Sequence, residues 1–169
     1  MDYASLIRDV PDFPKKGVIF KDITTLWKNP EGFKACINDI YEHCKGKKIH
    51  KVVGAESRGF IVGAPVAYLL NAGFVPARKP GKLPSESISK SYALEYGEAS
   101  IEIHKDAIEK GENVLIIDDL LATGGTTSAI IELVEQLGGR VMECIFIVEL
   151  EFLNGRKNIK YPVYSLIKY

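Results

Sequence analysis

The stretch VLIIDDLLATGGT, residues 114–126, sets an apolar run against two adjacent carboxylates, Asp118 and Asp119, and closes on a turn of threonines and glycines. Gly124 and Gly125 allow a tight turn where a helix would start. The first N–H groups of such a helix have no partner within it, and with the hydroxyls of Thr123, Thr126 and Thr127 they form a cradle for a phosphate. The loop holds no lysine, so it departs from G-x-x-x-x-G-K-[ST], and it is not G-x-G-x-x-G either. A phosphate monoester suits it better than a nucleoside triphosphate. Paired carboxylates just upstream would repel the phosphate but accept hydrogen bonds from a vicinal diol, and a ribose 5-phosphate carries both groups. The plainer alternative is that the acids cap a helix and the glycines merely turn the chain. A cap needs one acid, and this stretch supplies more polar capacity than that.

Such a site has to be held by a scaffold, and the flanking sequence predicts a parallel sheet. IHKVVGA (49–55) reads as a short strand, ESRGF leads into an apolar helix over 60–70, and FVPARK (74–79) reads as the next strand. NVLIID (113–118) is a third strand. The helix after it places Ile130, Leu133, Val134 and Leu137 on one face before Gly138 and Gly139 stop it. RVMECIFIVEL (140–150) predicts a fourth strand, and YPVYSLIK an edge strand. Upstream, Asn29 and Pro30 have the types expected at a helix start, and Phe33, Cys36, Ile37, Ile40, Tyr41 and Cys44 follow at helical spacing up to Gly46. Residues 80–90 are rich in Pro, Gly and Ser and read as a loop; SYALEYGEASIEI then predicts two short strands turning at Tyr96 and Gly97, a hairpin-like flap. In an open α/β sheet ligands sit beyond the carboxyl ends of the strands, which singles out residues 56–59, 78–82, 118–126 and 149–150.

With 169 residues, 46% of them hydrophobic, the chain is expected to form one domain spanning 1–169. Lys plus Arg and Asp plus Glu both number 22, so no bulk charge draws it to nucleic acid or a membrane surface, and any anion site must be local. No apolar run approaches the roughly 18–20 residues of a membrane span. Met1, Asp2 and Tyr3 do not resemble the start of a signal peptide, and an odd count of three cysteines suits a reducing compartment, so a cytoplasmic location is expected. Cys36, Cys44, Cys144, His43, His50 and His104 show no metal-ligand spacing.

VLIIDDLLATGGT resembles the phosphoribosyl pyrophosphate (PRPP) motif of the type I phosphoribosyltransferase family. Ala122 and Gly125 stand where hypoxanthine-guanine members typically carry an aspartate and a lysine, so the resemblance is to the adenine-specific branch. It extends in chain order through PDFPKKGVIFKDIT (11–24), ESRGF (56–60), RKPGKLP (78–84), YALEYGEASIEIHKDA (92–107) and IVELEFLNGR (147–156). The resemblance implies an α/β fold with a central, mainly parallel sheet flanked by helices, a small N-terminal base-binding hood and a flexible flap. It also implies a purine salvage reaction in which adenine and PRPP give AMP and pyrophosphate.

That reaction displaces pyrophosphate at the anomeric carbon while positive charge develops on the ribose. The resemblance assigns the 5-phosphate to Ala122, Thr123, Gly124, Gly125 and Thr126, and the ribose diol to Asp118 and Asp119, whose charge could favour the cationic transition state. Pyrophosphate would fall to Ser57, Arg58, Arg78, Lys79 and Lys82, with the Glu56–Ser57 peptide commonly cis in this family. Main-chain groups of Ile19 and Lys21 would read adenine, with Phe20 over one face and Leu150 over the other. Glu95, on the flap beside Tyr96, would manage a ring proton as the second catalytic residue with Arg58. Mg²⁺ is expected to arrive with PRPP, held mainly by its oxygens and water rather than by a protein cage. A homodimer is implied, because basic loop residues in the family can reach the neighbouring subunit's site; Pro80 stands where some relatives are basic. Three other readings keep part of the pattern: another base specificity, a PRPP-sensing regulator, and a flavodoxin-like nucleotide module.

Overall fold

A computed structural model describes residues 1–94 and 97–169. The chain opens with an antiparallel pair, β1 (Arg8–Pro11) and β2 (Ile19–Asp22), in which Val10 lies opposite Phe20. A short helix α1 (Thr24–Trp27) leads to α2 (Pro30–Cys44), where the Asn29 side chain caps the Gly32 amide at 2.9 Å and Pro30 takes the first turn. The central sheet consists of β3 (Lys51–Ala55), β4 (Gly73–Ala77), β7 (Asn113–Leu121), β8 (Arg140–Glu149) and β9 (Val163–Lys168). Its strand order is β4-β3-β7-β8-β9, and every pairing is parallel. The helix α3 (Arg58–Leu69) follows β3, and α4 (Gly125–Gln136) follows β7.

Because side chains alternate along a strand, β7 feeds two cores. Leu115 and Ile117 pack with α2 and α3, through Ile37, Ile40, Val62 and Val66. Val114 and Ile116 pack on the opposite face with Ile130, Leu133 and Val134 of α4. The three cysteines are buried and free. No described helix is long and apolar enough to cross a membrane.

The predicted helices and sheet strands are present, with boundaries shifted by one to three residues. Two differences matter for the site. The flap hairpin, β5 (Ser87–Ala93) and β6 (Glu98–His104), begins inside the segment expected to be loop. There Ile88 sits opposite Ile103 and packs on the second core, so Ser87, Ser89 and Ser91 form the solvent side of a strand, while Lys90 shares the inner face and pairs with Glu132 of α4. The strand expected to stop at Asp118 runs to Leu121, which brings Asp119 inside β7 rather than past its end.

Candidate active site

Strand β3 sends its crossover helix toward β4, and β7 sends its own toward β8, so the chain parts between β3 and β7. The crevice at that parting lies beyond the carboxyl ends of both strands, and the starts of α3 and α4 border it side by side. Alternation along β7 points Asp119 to the α3 side, where it is 3% exposed, and Arg58 at the start of α3 sets its Nε 3.0 Å from Asp119 Oδ2. The contact is an ion pair without hydrogen-bond alignment, and Asp119 Oδ2 has no hydrogen-bond donor among the described residues. Asp118 Oδ1 accepts the Asp119 amide at 2.8 Å. Gly59 allows this approach, since a Cβ there would stand 3.0 Å from Asp118 Oδ1 and 2.9 Å from the Ile117 carbonyl.

Burial pushes the Asp118 carboxyl well above its ordinary range, and the neighbouring Asp119 carboxylate adds to the rise. Burial pushes Asp119 up as well, against the opposing pull of Arg58. This acid pair therefore carries high proton affinity and unmet acceptor capacity, which suits it to receive hydroxyl donors from a ligand.

Immediately downstream, a cavity of about 80 Å³ is lined by Asp118 and residues 120–127, the stretch expected to cradle phosphate. Gly124 adopts φ +83°, and the Ser128 amide returns to its carbonyl at 2.9 Å as α4 begins. From outside, the loop is braced by a short 3-10 turn, Gly155–Asn158. A Cβ on Gly124 would stand 2.7 Å from the Gly155 carbonyl oxygen, one on Gly155 only 2.1 Å from the Ala122 oxygen, and Asn158 Nδ2 donates to the Thr123 oxygen at 2.7 Å. Arg156 pins that turn through Nε and Nη2 to the buried Glu149, at 2.9 and 2.5 Å. Those bonds hold the Glu149 carboxyl below its ordinary range, outweighing burial, with Ser165 Oγ adding a third donor at 2.7 Å. The contacts of Gly155 and Asn158 with the loop span more than 30 residues of sequence, and the stretch IVELEFLNGR that holds Glu149, Gly155 and Arg156 does not by itself show that they meet it.

The other expected site residues fall into two groups. Arg58, Asp118, Asp119, Phe20 and the loop 122–126 converge: the Arg58 guanidinium carbon lies 5.7 Å from the Phe20 ring centre, and Phe13 meets that ring edge-on at 5.2 Å. Leu150 directly follows β8, and its amide bonds the Leu121 oxygen at 3.0 Å. Ile19 is exposed, while the Lys21 ammonium is tied to Asp9 at 2.7 Å and lies over the Tyr169 ring.

The basic loop is arranged differently from a row of free cations. Arg78 is paired with Glu56 at 3.3 Å, and the same carboxylate accepts the Lys79 amide at 2.8 Å. Those two donors bring the Glu56 carboxyl below its usual range, against the opposing effect of burial. Lys79 and Lys82 are exposed and form no ion pair among the described residues. Ser57 is exposed and follows a cis Glu56–Ser57 peptide. Glu95 and Tyr96 lie outside the described residues. Among the described residues no cluster of three or more His, Cys, Asp or Glu could hold a metal.

Comparison with known proteins agrees with this geometry. Residues 22–168 match the model of the phosphoribosyl transferase domain. An adenine phosphoribosyltransferase of Geotalea daltonii is 57% identical over 169 residues, covering 99% of each chain. The crystal structure of the adenine phosphoribosyltransferase from Thermoanaerobacter pseudethanolicus superposes with a TM-score of 0.94 at 53% identity, covering 98% of this chain and 96% of that one. That of Saccharomyces cerevisiae, complexed with adenine and an imino-altritol bisphosphate, gives 0.93 at 42% identity, covering 97% and 98%. With the family model matched over most of the chain and likeness to these relatives along its whole length, the chain belongs to the phosphoribosyl transferase family, among the adenine phosphoribosyltransferases.

Proposed function

We propose that this protein transfers the 5-phosphoribosyl group of PRPP to adenine, forming AMP and pyrophosphate in purine salvage. The observation that carries the reading is the meeting at one crevice of the acid pair on β7, the loop 122–126 and Arg58, which stands between Asp119 and Phe20. The loop amides and threonine hydroxyls bind the 5-phosphate, and Asp118 and Asp119 accept the ribose hydroxyls. As pyrophosphate departs, their negative charge lies near the cationic sugar. Phe20 and Leu150 enclose the adenine plane, a contact typically worth about 1 to 3 kcal/mol per base, and the main chain of Ile19 and Lys21 reads its edge.

Arg58, Ser57, Lys79 and Lys82 receive the leaving pyrophosphate, and Arg78, through Glu56, shapes the loop that carries the lysines. Mg²⁺, as a hard ion that keeps its waters, neutralises pyrophosphate charge when bound. A substrate-held ion fits the acids present, since Asp119 already faces the Arg58 guanidinium at 3.0 Å. Glu95 serves as the proton-managing acid of the flap, and undiminished turnover in Glu95→Gln would remove it from that role.

We place the protein in the cytoplasm, as three free buried thiols suit a reducing compartment. It acts as a homodimer, for which α3 offers an exposed apolar face of Ile61, Tyr68 and Leu69. The test is purified protein with PRPP, Mg²⁺ and adenine, hypoxanthine, guanine or xanthine in turn, following nucleotide and pyrophosphate. AMP from adenine alone is the expected result. PRPP binding with no product from any base would overturn the enzyme reading in favour of a PRPP sensor.

A further inference from the structure

We infer that Asn158 is a positioning residue for the phosphate loop, holding the Thr123–Gly124 peptide so that its N–H, rather than its carbonyl, faces the bound phosphate. The inference rests on reading residues 118–126 as the ribose 5-phosphate site. Asn158 Nδ2 donates to the Thr123 oxygen at 2.7 Å, across 35 residues of sequence. Among the described residues the cis peptides are Phe13–Pro14 and Glu56–Ser57, so the Thr123–Gly124 peptide is trans. In a planar trans peptide the C=O and the following N–H point in opposite directions. A carbonyl tied outward to Asn158 therefore turns the Gly124 amide away from Asn158. That direction is set before any ligand arrives.

The tether answers a weakness of the loop itself. Gly124 is required by the close approach to the Gly155 carbonyl and by its φ of +83°, yet glycine crosses between backbone conformations more readily than any other residue. A flipped Thr123–Gly124 peptide would present an oxygen to an anion and turn attraction into repulsion. The Ser128 amide fixes the Gly124 carbonyl, which belongs to the next peptide, and leaves the Thr123–Gly124 plane to another restraint. Asn158 can supply that restraint because its own backbone is anchored. Arg156 binds Glu149 and, through Nη1, the Val163 oxygen at 2.7 Å, and Ile159 is buried on the other side. The Asn158 side chain itself stays at the surface and need not touch substrate.

The experiment compares wild type with Asn158→Leu, which removes the donor, and Asn158→Asp, which keeps the shape but offers an acceptor to the Thr123 carbonyl. Ribose 5-phosphate binding is measured by calorimetry, alongside KM for PRPP and adenine, kcat at saturation and the melting temperature. Loss of one preorganising hydrogen bond predicts ribose 5-phosphate affinity and KM for PRPP about five- to tenfold weaker in both variants. KM for adenine and kcat should stay within about twofold, and an exposed position should leave the melting temperature nearly unchanged. Ribose 5-phosphate affinity within twofold of wild type in both variants would overturn the proposal. So would a parallel loss for adenine together with a lower melting temperature, which would make Asn158 a general structural residue. Wild-type protein that binds ribose 5-phosphate but turns over no base would sink the proposed reaction alone, and the binding comparison would still judge Asn158.

Discussion

Replacing Gly124 with alanine tests whether the 3-10 turn behind the phosphate loop shapes the cradle. Two costs add in this variant. An alanine held at φ +83° sits in the left-handed region, at about 1 to 2 kcal/mol. Its Cβ would also stand 2.7 Å from the Gly155 carbonyl oxygen, a backbone atom that must recede by about 0.7 Å to reach the 3.4 Å of ordinary contact. The Gly155 side cannot simply yield, because Arg156 fastens it to Glu149 and to the Val163 carbonyl. Overpacking against a fixed partner costs roughly 1 to 3 kcal/mol. Gly81→Ala provides the internal control, for Gly81 has φ +77° with nothing within 4 Å of a Cβ and so carries the conformational cost alone. For a chain of this size, at about 2 to 4 °C per kcal/mol, Gly81→Ala should melt roughly 2 to 8 °C below wild type. Gly124→Ala should fall a further ~4 to 8 °C, because the contact adds about 2 kcal/mol. The assay is calorimetric melting, with ribose 5-phosphate titrations of the folded proteins at 25 °C. Gly124→Ala should bind ribose 5-phosphate at least about tenfold more weakly, since a shift of the loop misaligns its amides. Equal melting losses in the two variants, with affinity intact in Gly124→Ala, would refute the argument that the Gly155 contact sets the loop.

Three further outcomes follow from the same geometry. Burial and Asp119 raise Asp118 in the folded state, so the native protein binds more protons than the unfolded chain between the ordinary carboxylate value near about 3.9 and the raised one. The associated stability is lost as pH rises through that window. Asp118→Asn should therefore melt higher than wild type at pH 7.5, lose that advantage at pH 4, and bind PRPP more weakly; a lower melting temperature at pH 7.5 would contradict the assignment. Glu149 has the opposite sign, because Arg156 lowers its folded value and the pair stabilises above the ordinary glutamate value and fades as pH falls. Arg156→Met should cost about 1 to 3 kcal/mol in urea unfolding at pH 7.5, by leaving a buried acceptor short of donors, and much less at pH 4; a pH-independent loss would assign the effect to packing. Leu150→Ala should raise KM for adenine about fivefold or more while leaving KM for PRPP near wild type, and an unchanged adenine KM would remove Leu150 from the base pocket.

Much of this protein is legible in its sequence because the signals are local. The apolar run in 113–118, the apolar periodicity of 130–137 and the Asn29-Pro30 start each depend on residues within a few positions of one another. The acid pair and the Thr-Gly-Gly-Thr turn advertise phosphate and diol chemistry for the same reason. A local reading failed where a polar composition hid a strand: only the packing of Ile88 against the second core shows that 87–90 belong to the flap. It also ended β7 too early, since an aspartate inside a strand is stable only when tertiary partners such as Arg58 meet it.

The strand order was beyond local reach, and it decides the site. Placing β3 beside β7 brings Arg58 to Asp119, and folding the β1–β2 hairpin over that crevice brings Phe20 to Arg58. The pairing of Arg78 with Glu56 is a further consequence of β3 lying beside β4. Asn158 reaching Thr123 depends on the turn after β8 packing behind the loop after β7. Residue type and spacing determined which groups could bind a phosphorylated sugar, since those depend on short-range chemistry. Which of them meet, and which are spent on one another, was settled by contacts between elements far apart in the chain, whose free energy exists only once the sheet has formed.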